Sequence, residues 1–273
     1  MENKTIGFIG LGNMAKAIIG GLLQKEFVRK ENVIGSAKTE KTLLKVRNDY
    51  GIMTYADNCE VAKNADVLVL AVKPQMIDDV LDEIRDCLKE EVLVISILAG
   101  KTISYLENGI GRKVKLARCM PNVPALVGEG CTGICFNKNC EDSDRYLVTS
   151  ILESIGMAKE VPENLMDAVI GASGSSPAFV FMMIEAMADA VVKAGMRRDL
   201  AYEMVAQAVY GSAKLVLESE KVFGEKKHPA QLKDMVCSPG GTTIEGVKTL
   251  EEGCFRGVLM EAVEATIEKS KML

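Results

Sequence analysis

Two glycines near the start of the chain have the spacing of a phosphate-binding loop. The segment Gly10-Leu11-Gly12-Asn13-Met14-Ala15 follows an apolar run and precedes a helical pattern. In such a loop, Gly10 permits the tight turn, Gly12 lets the backbone approach a pyrophosphate, and Ala15 allows helix and strand to pack closely. The free N–H groups at the helix N-terminus favour the anion. The loop therefore predicts dinucleotide binding, rather than a mere tight turn, with cofactor contacts at Gly10, Leu11, Gly12, Asn13 and Met14.

About 20 residues beyond the loop, the sequence has no carboxylate of the kind that selects NAD. The end of the second predicted strand reads Ser36-Ala37-Lys38-Thr39 instead. Hydroxyls and a lysine suit the 2′-phosphate of NADP, and Lys41 can add positive charge. We therefore expect Ser36 and Lys38 to bind the cofactor and NADPH to be preferred, with NADH also possible. A solvated loop that accepts either cofactor is the alternative.

Two further polar residues follow predicted strands. Lys73 lies in Ala71-Val72-Lys73-Pro74-Gln75, at the edge of the sheet where ligands of doubly wound folds bind. It can hydrogen-bond a ribose or a carboxamide, or it is an ordinary exposed cation. Pro121 and Pro124 bracket Asn122 in a rigid loop that can present the Asn122 side chain to the cofactor. A purely structural turn is an equally good interpretation of that loop.

A glycine-rich turn in the second half of the chain has anion-binding chemistry. The segment Ser238-Pro239-Gly240-Gly241-Thr242-Thr243 precedes a helical pattern, so backbone N–H groups and two hydroxyls can converge on one point. A carboxylate is a natural occupant of such a pocket. The alternative is a capped helix after a tight turn, because Ser and Thr are ordinary helix caps.

Short Val- and Ile-rich runs alternate with helical patterns over the first 160 residues. Strands are expected at residues 5–10, 32–36, 65–72, 92–99 and 114–119, with helices between them, for example at 14–25 and 76–88. This order predicts an α/β fold in which parallel strands and crossover helices form a doubly wound Rossmann sheet. Beyond residue 163 only helical patterns remain. We therefore expect a dinucleotide-binding domain over residues 1–162 and an all-helical domain over residues 163–273.

The segment from Pro177 to Gly195 is apolar on nearly every helical face. A helix of this kind has to be enclosed on all sides. A helical domain of this size offers a small core of its own, so burial against a second subunit is the simplest explanation. We expect a homodimer formed through the helical half.

Composition and charge exclude several classes of protein. The 273 residues are 48% hydrophobic and 26% charged, which argues against disorder. The net charge is −5 and the basic residues are dispersed, so no nucleic-acid partner is expected. With no signal-peptide pattern and no apolar run of about 20 residues, neither secretion nor a membrane is expected, and the protein is placed in the cytoplasm. The eight scattered cysteines suggest buried, reduced thiols and no metal site.

Several motifs together resemble those of a known family. They are the glycine loop, Ala71-Val72-Lys73-Pro74-Gln75, Met120-Pro121-Asn122 and, above all, the run from His228-Pro229 to Leu250-Glu251 that contains the Ser-Pro-Gly-Gly turn. On these residues the sequence resembles the pyrroline-5-carboxylate reductase family over essentially its whole length. The family reduces 1-pyrroline-5-carboxylate to L-proline with NAD(P)H, in the last step of proline biosynthesis.

The resemblance implies a Rossmann domain followed by a helical domain that interlocks with a partner subunit, often within larger rings of dimers. It implies cofactor contacts beside the glycine loop at Ser36, Asn58, Val72, Lys73 and Ala99. The substrate carboxylate would bind to Ser238, Gly240, Gly241, Thr242 and Thr243. Thr243 would lie near the ring nitrogen as the one catalytic contact, with solvent supplying protons.

The chain departs from the family pattern in two places. The usual Ser-Gly-Ser-Gly-Pro-Ala-Tyr is replaced by a segment with Ser176 and Phe179, which narrows the pocket rim and removes a hydroxyl. The segment around Glu225 is also more basic than usual. Both departures bear on substrate detail rather than on the class of reaction.

Three other functions are weighed against this one. A 3-hydroxyacid or phosphogluconate type dehydrogenase would use a catalytic lysine, but residues 170–185 contain none. An imine reductase acting on a different ring size is harder to exclude. A non-catalytic NADP-sensing dimer would bind the cofactor without turnover, and its Ser-Pro-Gly-Gly turn would be structural.

Overall fold

Eight strands within the first 160 residues form one sheet in the computed structural model, which describes residues 4–272. The strands are β1 (Ile6–Ile9), β2 (Val33–Ser36), β3 (Met53–Tyr55), β4 (Val67–Leu70), β5 (Leu93–Ser96), β6 (Lys115–Met120), β7 (Gly130–Phe136) and β8 (Gly156–Glu160). Their order is β3-β2-β1-β4-β5-β6-β7-β8. The first six strands have the order of a Rossmann fold, so the predicted fold class is confirmed. The expectation that no signal segment is present concerns residues 1–3 among others, and these three lie outside the described residues.

All five predicted strands are present, and the structure adds β3, β7 and β8. In the order of the sheet, the first six strands, β3-β2-β1-β4-β5-β6, are parallel to one another. The next strand, β7, runs antiparallel to β6. The five predicted strands are parallel as predicted, and the antiparallel strand β7 is one that the sequence did not predict. The connection between Met120 and Gly130 is short, whereas a parallel crossover needs about a dozen residues or more.

Helices cover both faces of the sheet. They are α1 (Asn13–Gln24), α2 (Glu40–Tyr50), α3 (Asn58–Asn64), α4 (Ile77–Ile84), α5 (Ile103–Ile110) and α6 (Asp142–Glu153). Phe8 faces a buried apolar cluster with α1, α2 and α6, and the next residue, Ile9, faces a second cluster with α3, α4 and α5. Strands buried on both faces are apolar at successive positions, which explains the continuous Val and Ile runs.

The rest of the described chain, after β8, contains helices and no strand. The elements are α7 (Met166–Val169), a π-helical turn (Ile170–Gly174), α8 (Ser176–Lys193), α9 (Arg198–Leu217), α10 (Ser219–Phe223), α11 (Pro229–Val236), α12 (Thr242–Glu252) and α13 (Phe255–Ser270). The chain divides into two compact units. One reaches to Pro177 and includes the stretch from Ala265 onward, and the other is Ala178–Glu264. The domain boundary at residues 162 and 163 stays a prediction.

The second unit has a small core of its own. Its buried apolar cluster consists of Ala188, Ala201 and Val205. On α8, Phe181 is 58% exposed and Met182 is 69% exposed. A single copy of the chain therefore leaves uncovered the helix that the sequence predicts to be enclosed.

One expectation is wrong for the helical segment Glu163–Lys193, which contains α7, the π-helical turn and α8. This segment has 31 residues and is long and apolar enough to cross a membrane by length and composition alone, so the expectation that no apolar run reaches that length is wrong. A helix covered by a partner subunit satisfies the same criteria. The absence of a membrane partner stays a prediction.

Two cysteines depart from the expectation of separate reduced thiols. Cys59, in the first turn of α3, and Cys87, after α4, form a disulfide with their Cα atoms 5.5 Å apart. The other six are free thiols: Cys119, Cys131, Cys135, Cys140, Cys237 and Cys254. Three of these, Cys119, Cys135 and Cys140, are buried in the sheet region, as expected of small apolar side chains.

Candidate functional site

A cavity of about 320 Å³ lies at the carboxyl edge of the parallel strands, within the first unit. Its walls come from the segments after β1, β2 and β4, from the first residue of α3 and from one residue each of α2 and α4. The lining residues are Gly10, Leu11, Gly12, Ser36, Ala37, Lys38, Thr39, Thr42, Asn58, Ala71, Val72, Lys73, Met76 and Val80. The structure thus brings together most of the residues predicted to bind the cofactor, at the edge where doubly wound folds bind ligands.

The glycine loop has the local geometry that a bound pyrophosphate requires. Gly10 has φ +94°, and a Cβ there would lie 2.7 Å from the carbonyl oxygen of Ala71, so only glycine fits. At Gly12 a Cβ would meet nothing within 4 Å, which leaves open space beside the backbone. Gly12 precedes α1, and no side chain caps the first turn of that helix. The N–H groups of this turn are consequently available to a phosphate.

Beside the glycine loop, two polar residues of the cavity form a hydrogen-bonded chain with α4. Ser36, the last residue of β2, is fully buried, and its Oγ donates to Asn58 Oδ1 at 2.7 Å. The Nδ2 of Asn58 donates to Glu83 Oε2 at 2.7 Å. This contact with Glu83 has no sequence signal, because an exposed glutamate on an amphipathic helix is normally only solvated. Asn58 itself was expected from the resemblance and not from its own pattern.

The two lysines of the cavity and Thr39 lie at its exposed rim. Lys38 and Lys73 are exposed, which leaves their side chains free to approach an anion. Thr39 is the N-cap of α2 and its Oγ1 accepts a hydrogen bond from the Thr42 N–H. One hydroxyl of the Ser36 to Thr39 segment is thus already used to begin a helix.

Four residues expected to bind the cofactor lie outside the lining of this cavity. Asn13 lines a separate cavity bounded by α1, α2 and residues 125–128 and 154–155, Met14 packs against an apolar cluster, and Ala99 follows β5. Asn122 is buried, and its carboxamide donates to the Ser173 carbonyl at 2.9 Å and accepts from the Cys131 N–H at 2.8 Å. These contacts favour the structural interpretation of the Asn122 loop, and cofactor contacts at these four positions stay predictions.

The Ser-Pro-Gly-Gly segment forms a closed turn in the second unit. The Gly241 N–H donates to the Ser238 carbonyl at 3.0 Å, and Gly240 between them has φ +66°. Gly241 is the N-cap of α12 and carries no side-chain cap, so the hydroxyls of Thr242 and Thr243 are not used for capping. The substrate site and the capped helix both stay predictions. The turn leaves the first N–H groups of α12 and two hydroxyls available to an anion.

The two departures from the family pattern have local explanations. The Ser176 Oγ donates to the Ala172 carbonyl at 2.8 Å, so this hydroxyl is used within its own helix. The carboxylate of Glu225 is exposed and accepts a hydrogen bond from Lys227, which lowers its pKa. Lys227 thus belongs to the more basic segment and forms an ion pair with Glu225.

Similarity to known proteins agrees with this arrangement. The family described as "Pyrroline-5-carboxylate reductase dimerisation" matches residues 163–273, and the family "NADP oxidoreductase coenzyme F420-dependent" matches residues 5–100. A pyrroline-5-carboxylate reductase of Escherichia coli K12 is 46% identical over 99% of this chain and 98% of its own length. The enzyme of Methanosarcina acetivorans is 43% identical over 100% of this chain and 99% of its own.

Solved structures of the same enzyme superpose on the whole chain. The Plasmodium falciparum pyrroline carboxylate reductase with NADP bound is 37% identical, with a TM-score of 0.88, over 100% of this chain and 98% of that chain. The Coxiella burnetii protein is 33% identical, with a TM-score of 0.90, over 99% of this chain and 98% of that chain. On identity, coverage and fold together, the chain belongs to the pyrroline-5-carboxylate reductase family.

Proposed function

We propose that the protein reduces 1-pyrroline-5-carboxylate to L-proline, with NADPH as hydride donor and NADH as an alternative. The observation that carries this proposal is the turn from Ser238 to Gly241. It places a helix N-terminus with an uncapped first turn next to the hydroxyls of Thr242 and Thr243. Such a site suits the single carboxylate of a small imino acid, and membership of the family supplies the reaction.

The cavity of the first unit fits a dinucleotide, because space is open beside Gly12 and the first turn of α1 is uncapped. When bound there, NADPH supplies a hydride from nicotinamide C4. The hydride would form a C–H bond at C2 of the pyrroline ring, the imine carbon that becomes C5 of proline, and the C=N electron pair would stay on nitrogen, which becomes the amine. A protonated imine is already a good electrophile, so the chain acts mainly by holding and orienting the reactants.

Each element of the two sites has a proposed part in that orientation. The first N–H groups of α12, with Gly240, Gly241 and Ser238, bind the substrate carboxylate. Thr243 hydrogen-bonds the ring nitrogen, and water supplies the proton. Lys38 and Lys73 hold the ribose and phosphate groups of the cofactor at the cavity rim.

The protein self-associates, as its dimerisation family and its relatives indicate. We propose a ring of such dimers as the larger assembly, and the cytoplasm as the location. The exposed apolar side chains of α8 support the dimer, because burial against a second copy removes them from water.

The test is the oxidation of NADPH and, separately, of NADH by the purified protein, with and without 1-pyrroline-5-carboxylate. We expect substrate-dependent turnover with proline as the product, faster with NADPH. Cofactor binding without turnover would overturn the proposal and favour a cofactor-sensing dimer. Turnover with a six-membered cyclic imine and none with the five-membered ring would instead assign the protein to a different imine substrate.

A further inference from the structure

The hydrogen bonds from Ser36 through Asn58 to Glu83 have a direction. The Ser36 hydroxyl proton is donated to Asn58 Oδ1, and an Asn58 amide proton is donated to Glu83 Oε2. Both donations therefore run toward the Glu83 carboxylate. Ser36 is fully buried and Asn58 is partly exposed, so Asn58 is the member of this series that a ligand in the cavity can contact.

This series of hydrogen bonds lies where a Rossmann protein contacts the part of the cofactor in which NADH and NADPH differ. Ser36 ends β2, and the end of this strand is the position from which Rossmann proteins contact the ribose 2′ substituent. Asn58 is the first residue of α3 and follows β3, the neighbour of β2 in the sheet, after Ala56 and Asp57; it lines the same cavity. Glu83 comes from α4 and places one negative charge directly behind Asn58.

These hydrogen-bonded residues affect the binding of NADH and the binding of NADPH differently. A ribose 2′-hydroxyl is uncharged, so the Glu83 carboxylate does not repel NADH. A 2′-phosphate is negatively charged and is repelled by the Glu83 carboxylate that is bonded to Asn58. Lys38 and Lys73 at the rim attract the phosphate and oppose this repulsion. The preference therefore depends on the balance between these lysines and Glu83.

We propose that Glu83 is a specificity-determining residue that acts through Asn58 and weakens binding of the 2′-phosphate. It thereby narrows the preference of the protein for NADPH over NADH. This inference rests on the proposed use of both cofactors, but it concerns their binding and not the reaction with the imine.

The decisive variant is Glu83→Gln, whose carbonyl oxygen can still accept from Asn58 Nδ2 while the charge is removed. We expect the Kd of NADPH to fall by about threefold to tenfold, a moderate effect because Glu83 is exposed to screening solvent. The Kd of NADH should stay within about twofold, because the ribose 2′-hydroxyl carries no charge. Both constants come from cofactor fluorescence titration without substrate, so that a failure of the proline reaction would leave this result intact.

Two further variants separate charge from local structure. Glu83→Asp keeps the charge, and its ratio of NADPH to NADH affinity should stay close to that of the unaltered protein. Glu90→Gln removes the same charge from an exposed position beyond α4, and it should leave the ratio unchanged. An equal change of both Kd values in Glu83→Gln, or the same shift in Glu90→Gln, would overturn the proposal. If Glu83→Gln does not fold, a shifted ratio in Glu83→Asp would contradict it as well.

Discussion

Asn122 donates a hydrogen bond through Nδ2 to the carbonyl oxygen of Ser173, 2.9 Å away in the π-helical turn. Its Oδ1 accepts from the Cys131 N–H at the same time. Asn122→Ala leaves a donor and an acceptor without partners in a largely buried site. We expect the free energy of unfolding to fall by about 2–3 kcal/mol, measured by urea denaturation.

The control for this variant is Asn48→Ala, at an exposed position of α2, which should change stability little. The same Asn122→Ala protein tests the predicted cofactor contact. A Kd for NADPH raised by tenfold, with stability unchanged, would contradict the structural role of Asn122 and favour the cofactor role.

The hydroxyl of Thr243 is expected to act on the substrate and not on the helix. Thr243→Val keeps the shape of the side chain and removes the hydrogen bond to the ring nitrogen. We expect kcat/KM for 1-pyrroline-5-carboxylate to fall by roughly tenfold to a hundredfold. Thr249→Val is the matched control on the same helix, since its hydroxyl donates to the Glu245 carbonyl. Unchanged turnover and substrate affinity in Thr243→Val would show that the assigned role is wrong.

Two glycines of the same region should respond in opposite ways to alanine. Gly240 has φ +66°, so Gly240→Ala should cost roughly 1–2 kcal/mol of stability and raise the KM of the imino acid. Gly246 lies inside α12 with open space around it, so Gly246→Ala should stabilise by about 0.5–1 kcal/mol. Thermal unfolding measures both effects. A stabilising Gly240→Ala would mean that the turn does not need its left-handed residue.

The disulfide between Cys59 and Cys87 closes a loop with a sequence separation of 28 residues. Reducing it should lower the free energy of unfolding by about 2–4 kcal/mol, because the unfolded chain regains conformational freedom. Urea denaturation with and without dithiothreitol measures this loss. In Cys59→Ser the reductant should have no effect, whereas Cys254→Ser should behave like the unaltered protein. A stability independent of reductant in the unaltered protein would argue against the bond.

The free thiols should differ strongly in reactivity. Burial raises the pKa of the Cys135 thiol to about 12 and that of Cys140 to about 11, and it raises the pKa of Cys119 as well. A thiol with a raised pKa stays protonated at about pH 8, and only the thiolate is nucleophilic. A thiol reagent at that pH should therefore label exposed Cys254 and spare these three until the protein unfolds. Rapid labelling of Cys135 in the folded protein would contradict its burial.

The sequence predicted those strands whose residues are buried on both faces, since these are continuous apolar runs. It did not predict β3 and β8, because Met53 is 58% exposed and Met157 is 43% exposed, which interrupts the pattern. It did not predict β7 because Gly130, Thr132 and Gly133 make that strand less apolar. The pattern of apolar residues thus predicted the strands at the centre of the sheet and not those at its edges.

At the candidate site, the residues that follow strands were predictable because parallel strands end at one edge of a sheet. Gly10, Ser36, Lys38, Val72 and Lys73 accordingly line one cavity. The contact of Asn58 with Glu83 and the pairing of Cys59 with Cys87 depend on how α3 packs beside α4. No spacing along the chain encodes either contact.

The exposed apolar side chains of α8 also affect how the stability of the protein must be measured. If a second copy covers Phe181 and Met182, folding of the helical unit and association are linked by mass action. Dilution then shifts the equilibrium toward the unfolded subunit, and the melting temperature rises with protein concentration. Free energies from a single concentration would therefore combine two equilibria, and the stabilities of variants are comparable only at equal subunit concentration.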